Sequence, residues 1–382
     1  MDFEDSAEHK MLRSNVRKVV SSFGAEYYQA QCREGGRAGE LWQALGESGF
    51  LGVNIPEEYG GAGLGITELM LVSEEAASLG CPMLLTLVSP AICGTILSRH
   101  GTDEQRQQFL PALAEGKKMA FAITEPDAGS NSHNISTVAR EDGDDYVLRG
   151  TKYYISGFDE SEQVLVVTRT GTKESGQSEL SLFIVDSNSP GLSSSVIDVE
   201  IQAPEKQFTL FFEDVRVPKQ RLVGEAGRGL KQVFVGLQPE RILGASISNG
   251  LGRYALQLAS DYAVDRQVWG KPIGAHQGVA HPLAEAKIAL ELARLMTQKA
   301  SYIYDARLDA AETANIAKYA AAEAGLQCVD QAMQTLGGNG LASEFKLAHL
   351  WGMARLLRTA PVSREMILNY IAQHSLGLPR SY

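Results

Sequence analysis

Apolar residues recur three and four positions apart through LWQALGESGF, ITELMLVSEEAASL and PAICGTILSRHG, and this spacing predicts helices with short breaks from about residue 5 to 118. Between the first two lies NIPEEYGGAGLG, a Pro- and Gly-rich loop with no GxGxxG and no convincing strand before it, which is weak evidence for dinucleotide binding. Thr102, with Asp103 and Glu104 in the following turn, predicts a capped helix start. The period changes near Met119. AFAITE, DYVLRGTKYYIS, EQVLVVTRT, LSLFIVD, SSSVIDVE and FTLFFEDVRV are short β-rich runs separated by Gly, Asp, Ser and Asn, and they predict an antiparallel sheet or barrel ending near Pro218. Long helices then return over 229–262, 276–306 and 311–336, with shorter ones over 344–359 and 364–375. Pro282 predicts a kink or a later start in the second of these. The order helix, sheet, helix is not an alternating βαβ pattern. It predicts an α+β, mostly α chain, with an N-terminal helical domain over 1–118, a middle antiparallel β-barrel-like domain over 119–226 and a C-terminal helical domain over 227–382.

Charge and composition narrow the function classes. With 382 residues and 44% hydrophobic content the chain can bury more than one core. A formal charge of −11 argues against a nucleic-acid surface. No apolar run reaches the roughly 20 residues of a membrane span, and MDFEDSAEHK is too acidic for a secretory signal, so a cytoplasmic location is expected. The four cysteines form no CxxC pair and have no histidine at metal-ligand spacing, so neither a zinc site nor a disulfide framework is expected. The absence of HExxH and GxSxG removes metal and serine hydrolysis as leading ideas.

Five stretches could carry chemistry. In Gln238-Pro239-Glu240-Arg241, Glu240 sits among Val233, Phe234, Val235, Leu237, Ile242 and Leu243. It is either a helix-surface carboxylate beside an Arg or a poorly hydrated one, and the second is a stronger base. Thr124-Glu125-Pro126-Asp127-Ala128-Gly129-Ser130 follows a strand and offers hydroxyls and a bare backbone to a planar polar group, though a plain turn explains it too. Tyr153, Tyr154 and Ser156 suit an aromatic wall or a strand core. Gln334-Thr335-Leu336-Gly337-Gly338-Asn339-Gly340 has more glycine than a helix cap requires. Arg266 and Trp269, three apart on one helical face, suit a phosphate and a ring, or a solvated helix end.

Together these segments resemble the acyl-CoA dehydrogenase family over essentially the whole chain. FAITEPDAGSN resembles the family's flavin loop, KYYIS its flavin-side strand, FEDVRVPKQRLVGEAGRG its sheet-to-helix crossover, DRQVWGKPIGAHQ its inter-subunit cofactor segment and QTLGGNG its adenosine-side turn. The resemblance implies a C-terminal four-helix bundle and a homotetramer, a dimer of dimers, with one FAD per chain. It implies that Phe121, Ile123, Thr124, Gly129, Ser130, Tyr154, Ile155 and Ser156 flank the flavin ring. Arg266, Trp269, Gln277, Gln334, Gly337 and Gly338 would hold pyrophosphate and adenosine, partly across a subunit interface. Ser363, Arg364 and Glu365 fall where the family again touches FAD. Ser130 and Arg241 would face the CoA portion, and Pro361 and Val362 the thioester.

Two departures bear on mechanism. Many members carry the catalytic Glu in a Glu-Gly-Thr/Ser motif, and counting from GGNG places that position on Pro361, which cannot be a base. The family's Arg-Asp before it is replaced by Gly352-Met353. A minority, including isovaleryl-CoA and long-chain types, carry the Glu in a Glu-Arg pair on the first helix of the C-terminal domain, here Glu240-Arg241. The implied reaction is α,β-dehydrogenation of an acyl-CoA to the trans-2-enoyl-CoA, with Glu240 taking the α-proton, FAD N5 the β-hydride and an electron-transfer flavoprotein the electrons. Pro361 also removes a backbone N–H that the family aims at the thioester oxygen, a type of loss that costs about 3 to 4 kcal/mol elsewhere. Alternatives on the same fold are a carrier-protein-tethered acyl dehydrogenase, an enoyl-CoA reductase and a non-catalytic partner subunit. Leu84, Leu85, Leu87, Val88, Ala91 and Cys93 line the acyl tunnel by family analogy, or form one face of a core helix.

Overall fold

The computed structural model describes residues 4–174 and 176–380. Its N-terminal helices are α1 (Ala7–Ser21), α2 (Gly24–Glu34), α3 (Gly39–Glu47) and α4 (Ile66–Ala77), followed by a π-helical segment Leu87–Gly94, α5 (Thr95–His100) and α6 (Asp103–Ala114). The widened π register lies where Pro90 removes an N–H from the ladder. Thr102 caps α6 as the sequence implies: its hydroxyl accepts from the Gln105 N–H at 3.2 Å, and the Gln105 side chain accepts the Thr102 N–H in return.

The middle of the chain folds into strands β1 (Lys118–Ala122), β2 (Val138–Asp142), β3 (Asp145–Ser156), β4 (Ser161–Thr172), β5 (Ser178–Asp186), β6 (Leu192–Ile197), β7 (Gln207–Pro218) and β8 (Leu222–Val223). They form one sheet in the order β6-β7-β3-β2-β4-β5-β8, with β1 beside β4. The pairing is antiparallel except that β1 runs parallel to β4, as does a single β2–β4 bridge. Strand β2 gives no apolar alternation, because Arg140, Glu141 and Asp142 are exposed. The run AFAITE leaves the ladder after Ala122, which frees residues 123–130 as a loop.

Helices then return as α7 (Gly229–Asp265), a hairpin of β9 (Gln267–Val268) and β10 (Lys271–Pro272), α8 (Gln277–Asp305), α9 (Ala311–Leu336), α10 (Gly338–Leu341), α11 (Ala348–Thr359) and α12 (Arg364–Tyr370). Pro282 neither delays nor ends α8, which begins at Gln277 and runs through it. Helix α7 is the axis of the molecule. One core joins Leu69, Met70 and Val72 of α4 to Ile247 and Leu251 of α7 and Ala321 of α9; a second joins the π segment and α6 to β1, β4, β5 and Val233 of α7. Close approach depends on glycine: a Cβ on Gly250 would meet the Glu74 carbonyl and the Ala77 Cβ at 2.5 Å. Charge locks the same contact. Buried Glu74 and Glu75 of α4 take Arg253 of α7 at 2.9 and 3.0 Å, and Glu74 takes Arg294 of α8 at 3.0 Å.

Candidate active site

Helix α7 carries a proline one residue before the candidate base. Pro239 lacks the N–H that would satisfy the Val235 carbonyl four residues back, yet the helix continues. The Tyr304 hydroxyl of α8 supplies the missing donor, at 2.8 Å from that carbonyl. Tyr304 is itself buried, and the Arg99 guanidinium covers its ring at 4.7 Å. Sequence spacing alone showed neither contact.

Glu240 keeps part of its surface open, but surrounding protein pushes its carboxyl up to about 7, against the opposing pull of Arg241 and Lys318. Among the described residues it has no ion-pair or hydrogen-bond partner. Facing it are Cys93 of the π segment, whose thiol burial and the Glu240 charge push up, and Lys318 of α9. One turn further along α7, a Cβ on Gly244 would lie 3.5 Å from the Pro361 Cδ and 3.8 Å from Leu87. The Ala360–Val362 segment therefore passes over the face that presents Glu240. Arg241 is half-buried, its guanidinium pulled down by burial and lying 5.9 Å from the exposed Phe234 ring. Of the six apolar residues expected as tunnel or core, Leu84, Leu85, Leu87, Ala91 and Cys93 are buried in the cores, while Val88 is half-buried.

The loop after β1 is built on a buried ion pair. Lys152 of β3 places its ammonium 2.8 Å from Glu125 and 3.0 Å from the Ile123 carbonyl. Glu125 also accepts from the Ser136 N–H and hydroxyl, both at 2.7 Å, and from the Thr137 N–H at 3.0 Å. Burial alone would raise this carboxyl, but Lys152 and these donors outweigh it and hold Glu125 at about 2. Above this footing Thr124 and Ile123 are half-buried, and Gly129 and Ser130 are exposed. The Tyr153 N–H donates to the Thr124 carbonyl at 2.8 Å, which ties the loop to β3. At a register shift between Lys152 and Ile155, Tyr154 turns outward with φ 57° and 53% exposure. Ser156 donates to Gln207 at 2.9 Å. Phe121 and Ile155 are buried in the cores and back the loop rather than face solvent.

A second group lies at the far end of the C-terminal helices. The spacing of Arg266 and Trp269 predicts one helical face, but α7 ends at Asp265, with Arg266 as its C-terminal cap. A two-residue hairpin turn follows, with Trp269 at φ 50° and Gly270 at φ 77°, both in the left-handed region such turns demand. Trp269 is 90% exposed, and Arg266, Gln277, Gln334, Gly337 and Gly338 are exposed with it. Asn339 donates to the Tyr262 hydroxyl at 3.1 Å, which brings the glycine turn beside the hairpin. The two groups are not brought together: Glu240 and Arg266 are 26 residues apart on one helix, about 39 Å at 1.5 Å per residue. Ser363 caps α12, accepting from the Met366 N–H at 3.2 Å, and Glu365 is exposed.

Family models for the acyl-CoA dehydrogenase N-terminal, middle and C-terminal domains match residues 6–117, 120–215 and 227–376. This chain belongs to the acyl-CoA dehydrogenase family. The acyl-CoA dehydrogenase FadE12 of Mycobacterium tuberculosis is 53% identical, over 100% of this chain and 99% of that protein. The structure of a glutaryl-coenzyme A dehydrogenase in complex with glutaryl-CoA superposes with a TM-score of 0.95 at 30% identity, over 100% of this chain and 98% of that one. Butyryl-CoA dehydrogenase from Megasphaera elsdenii superposes with a TM-score of 0.94 at 27% identity, over 98% and 100%.

As an acyl-CoA dehydrogenase the chain is an oxidoreductase, and several residues shape its candidate site through contacts that no motif signals. Lys152, Lys318 and Tyr304 act through contacts 27, 44 and 69 positions away in the chain. A trace is legible for Lys318, whose neighbours along α9 are mostly buried alanines. Among the described residues no helix is long and apolar enough to cross a membrane, and no cluster of His, Cys, Asp and Glu is arranged to hold a metal.

Proposed function

We propose that this enzyme dehydrogenates the α,β bond of an acyl-CoA to give the trans-2-enoyl-CoA, with Glu240 as the base that takes the α-proton. One observation carries this reading: Glu240 is a crowded carboxylate with an upward-shifted pKa and no partner, whereas buried Glu74, Glu75 and Glu125 are paired, and Glu205, also raised to about 7, accepts from the Leu84 N–H. A base poised near neutrality both holds its proton and releases it under working conditions. Pro361 has no N–H to polarise the thioester oxygen. Beside it, the N–H groups of Val362 and Ser363 have no acceptor among the described residues, so they are the donors available for that task. Ser130 and Arg241 are the candidate contacts for the CoA portion.

FAD is the cofactor in this reading, and the residues fit it. A Cβ on Gly129 or on Gly338 would meet nothing within 4 Å, so these glycines leave open backbone that the chain's own packing does not use. Bound FAD supplies the acceptor for the β-hydrogen. Thr124, Ser130, Tyr154 and Ser156 would flank its ring system, backed by Phe121, Ile123 and Ile155. Arg266, Trp269, Gln277, Gln334, Gly337 and Gly338 would hold the pyrophosphate and adenosine of a FAD seated on a second chain, because they lie too far from this chain's own Glu240. The bare Trp269 and the exposed apolar face of α8, with Ile288, Leu292, Leu295 and Tyr302 at 46–65% exposure, support assembly as a homotetramer. Electrons leave to an electron-transfer flavoprotein.

The test is anaerobic mixing of the yellow holoenzyme with acyl-CoAs of graded length and branching. At least one should bleach the flavin. Glu240→Gln should keep FAD and lose bleaching; bleaching at the wild-type rate would remove Glu240 from the mechanism.

A further inference from the structure

Lys318 presents a problem that the fold alone does not solve. It lies in the alanine-rich α9 with 1% exposure, and a buried ammonium is costly unless something requires it. No ion pair to it is formed among the described residues; instead its Nζ donates to the Val362 carbonyl. That carbonyl follows Pro361, the residue packed over Gly244 of α7. The charged groups that face Lys318 are Glu240 and Arg241 of α7, Glu323 of its own helix and Glu365 of α12. Burial pulls the ammonium down to about 8, which leaves it protonated at neutral pH.

We propose that Lys318 is a positioning residue for the reaction: its ammonium ties the Ala360–Val362 segment to α9 and sets the electrostatic surroundings of the Glu240 carboxylate. The tether holds the stretch that carries the free Val362 and Ser363 N–H groups against the face of α7 that presents the base. The charge lowers the cost of ionising Glu240 in a crowded site. It works alongside Arg241, with Cys93 across from it and Tyr370 facing Arg241. A structural lysine would do neither. This inference rests on Glu240 being the base.

Two substitutions separate the roles. Lys318→Gln keeps a donor for the Val362 carbonyl and removes the charge. Lys318→Met removes both. With the cation gone the carboxylate is harder to ionise, so the acid limb of kcat/KM for flavin reduction moves to higher pH in both variants. Lys318→Gln should retain the wild-type KM. Lys318→Met should in addition lose on the order of a hundredfold in kcat from a misplaced segment. Lys318→Arg should restore the wild-type acid limb. An unshifted acid limb in Lys318→Gln overturns the proposal, and that variant decides the matter alone if Lys318→Met does not fold. Glu240→Gln run beside them keeps the two ideas apart: its inactivity together with an unshifted Lys318→Gln sinks only the lysine, whereas its full activity sinks the base.

Discussion

The Tyr304 hydroxyl donates at 2.8 Å to the Val235 carbonyl, the group that Pro239 leaves without a donor inside its own helix. The proline is thus tolerated because a neighbouring helix completes the ladder, one residue before Glu240. Tyr304→Phe should leave a buried carbonyl unsatisfied and cost about 1 to 3 kcal/mol. Urea unfolding of the holoenzyme measures it. A variant as stable as the wild type would show that water or a local shift replaces the hydroxyl.

The buried Lys152–Glu125 pair makes a larger claim on stability. Lys152→Met strands a carboxylate under the loop and should cost about 3 to 5 kcal/mol; adding Glu125→Leu removes the stranded charge but leaves the Ser136 and Thr137 donors without their acceptor, so it should recover only part of that loss. The pair also predicts acid sensitivity. Glu125 is held at about 2, below its ordinary 4.5. Its contribution is therefore complete above pH 4.5 and disappears as the pH falls through that window towards 2. Denaturant midpoints taken from pH 6 to 3 should fall more steeply in the wild type than in the double variant.

Glu240 carries the opposite sign. Its folded pKa is raised to about 7 from 4.5, so the native state holds the extra proton between those values and loses stability as the pH rises through them. Glu240→Gln should be more stable than the wild type at pH 8, by about 1 to 3 kcal/mol, and show little gain at pH 4. As a base it must be ionised, so kcat/KM should fall about tenfold per pH unit below about 7. A profile flat from pH 8 to 5.5 would contradict both the pKa and the role.

Much of this was legible in the sequence, and the limits have physical causes. Helix ends at 336 and 359 follow from a 3.6-residue period read against Gly337 and Pro361. Glu240 emerged because proline at 361 cannot serve as a base. Distant pairing is what periodicity does not encode: Lys152 meets Glu125 and Lys318 meets Val362 only once a sheet and a bundle have formed. Strand β2 was hidden by its exposed charges. The helix over 229–262 ends close to Asp265, but the helical spacing of Arg266 and Trp269 does not hold, because a helix and a tight hairpin both tolerate DRQVWG until Trp269 takes a left-handed backbone.

Gly338 separates cofactor binding from folding. It opens α10, and a Cβ added there would have nothing within 4 Å, so Gly338→Ala should leave the apoprotein at least as stable, since alanine favours helix by roughly 1 kcal/mol. If that open backbone receives the adenosine end of FAD, the same methyl group should weaken FAD retention on dilution. Gly337, at φ 59° and ψ −133°, does not tolerate a side chain and should lose stability as alanine. Equal FAD affinity in Gly338→Ala would place the adenosine elsewhere.

The apolar face of α8 gives the last test. Ile288, Leu292, Leu295 and Tyr302 follow helical spacing on one side, at 62, 65, 46 and 65% exposure, a stripe that a lone chain would leave in water. Leu292→Glu places a charge in its centre. If the stripe is where copies of this chain meet, the variant should sediment as a smaller species, with its fold intact by circular dichroism. Its effect on FAD then reports which interface the cofactor needs. Retained flavin in the smaller species means that the surfaces around Trp269 still pair without α8, and lost flavin means that one assembly serves both. A variant that sediments like the wild type assigns the stripe some role other than self-association.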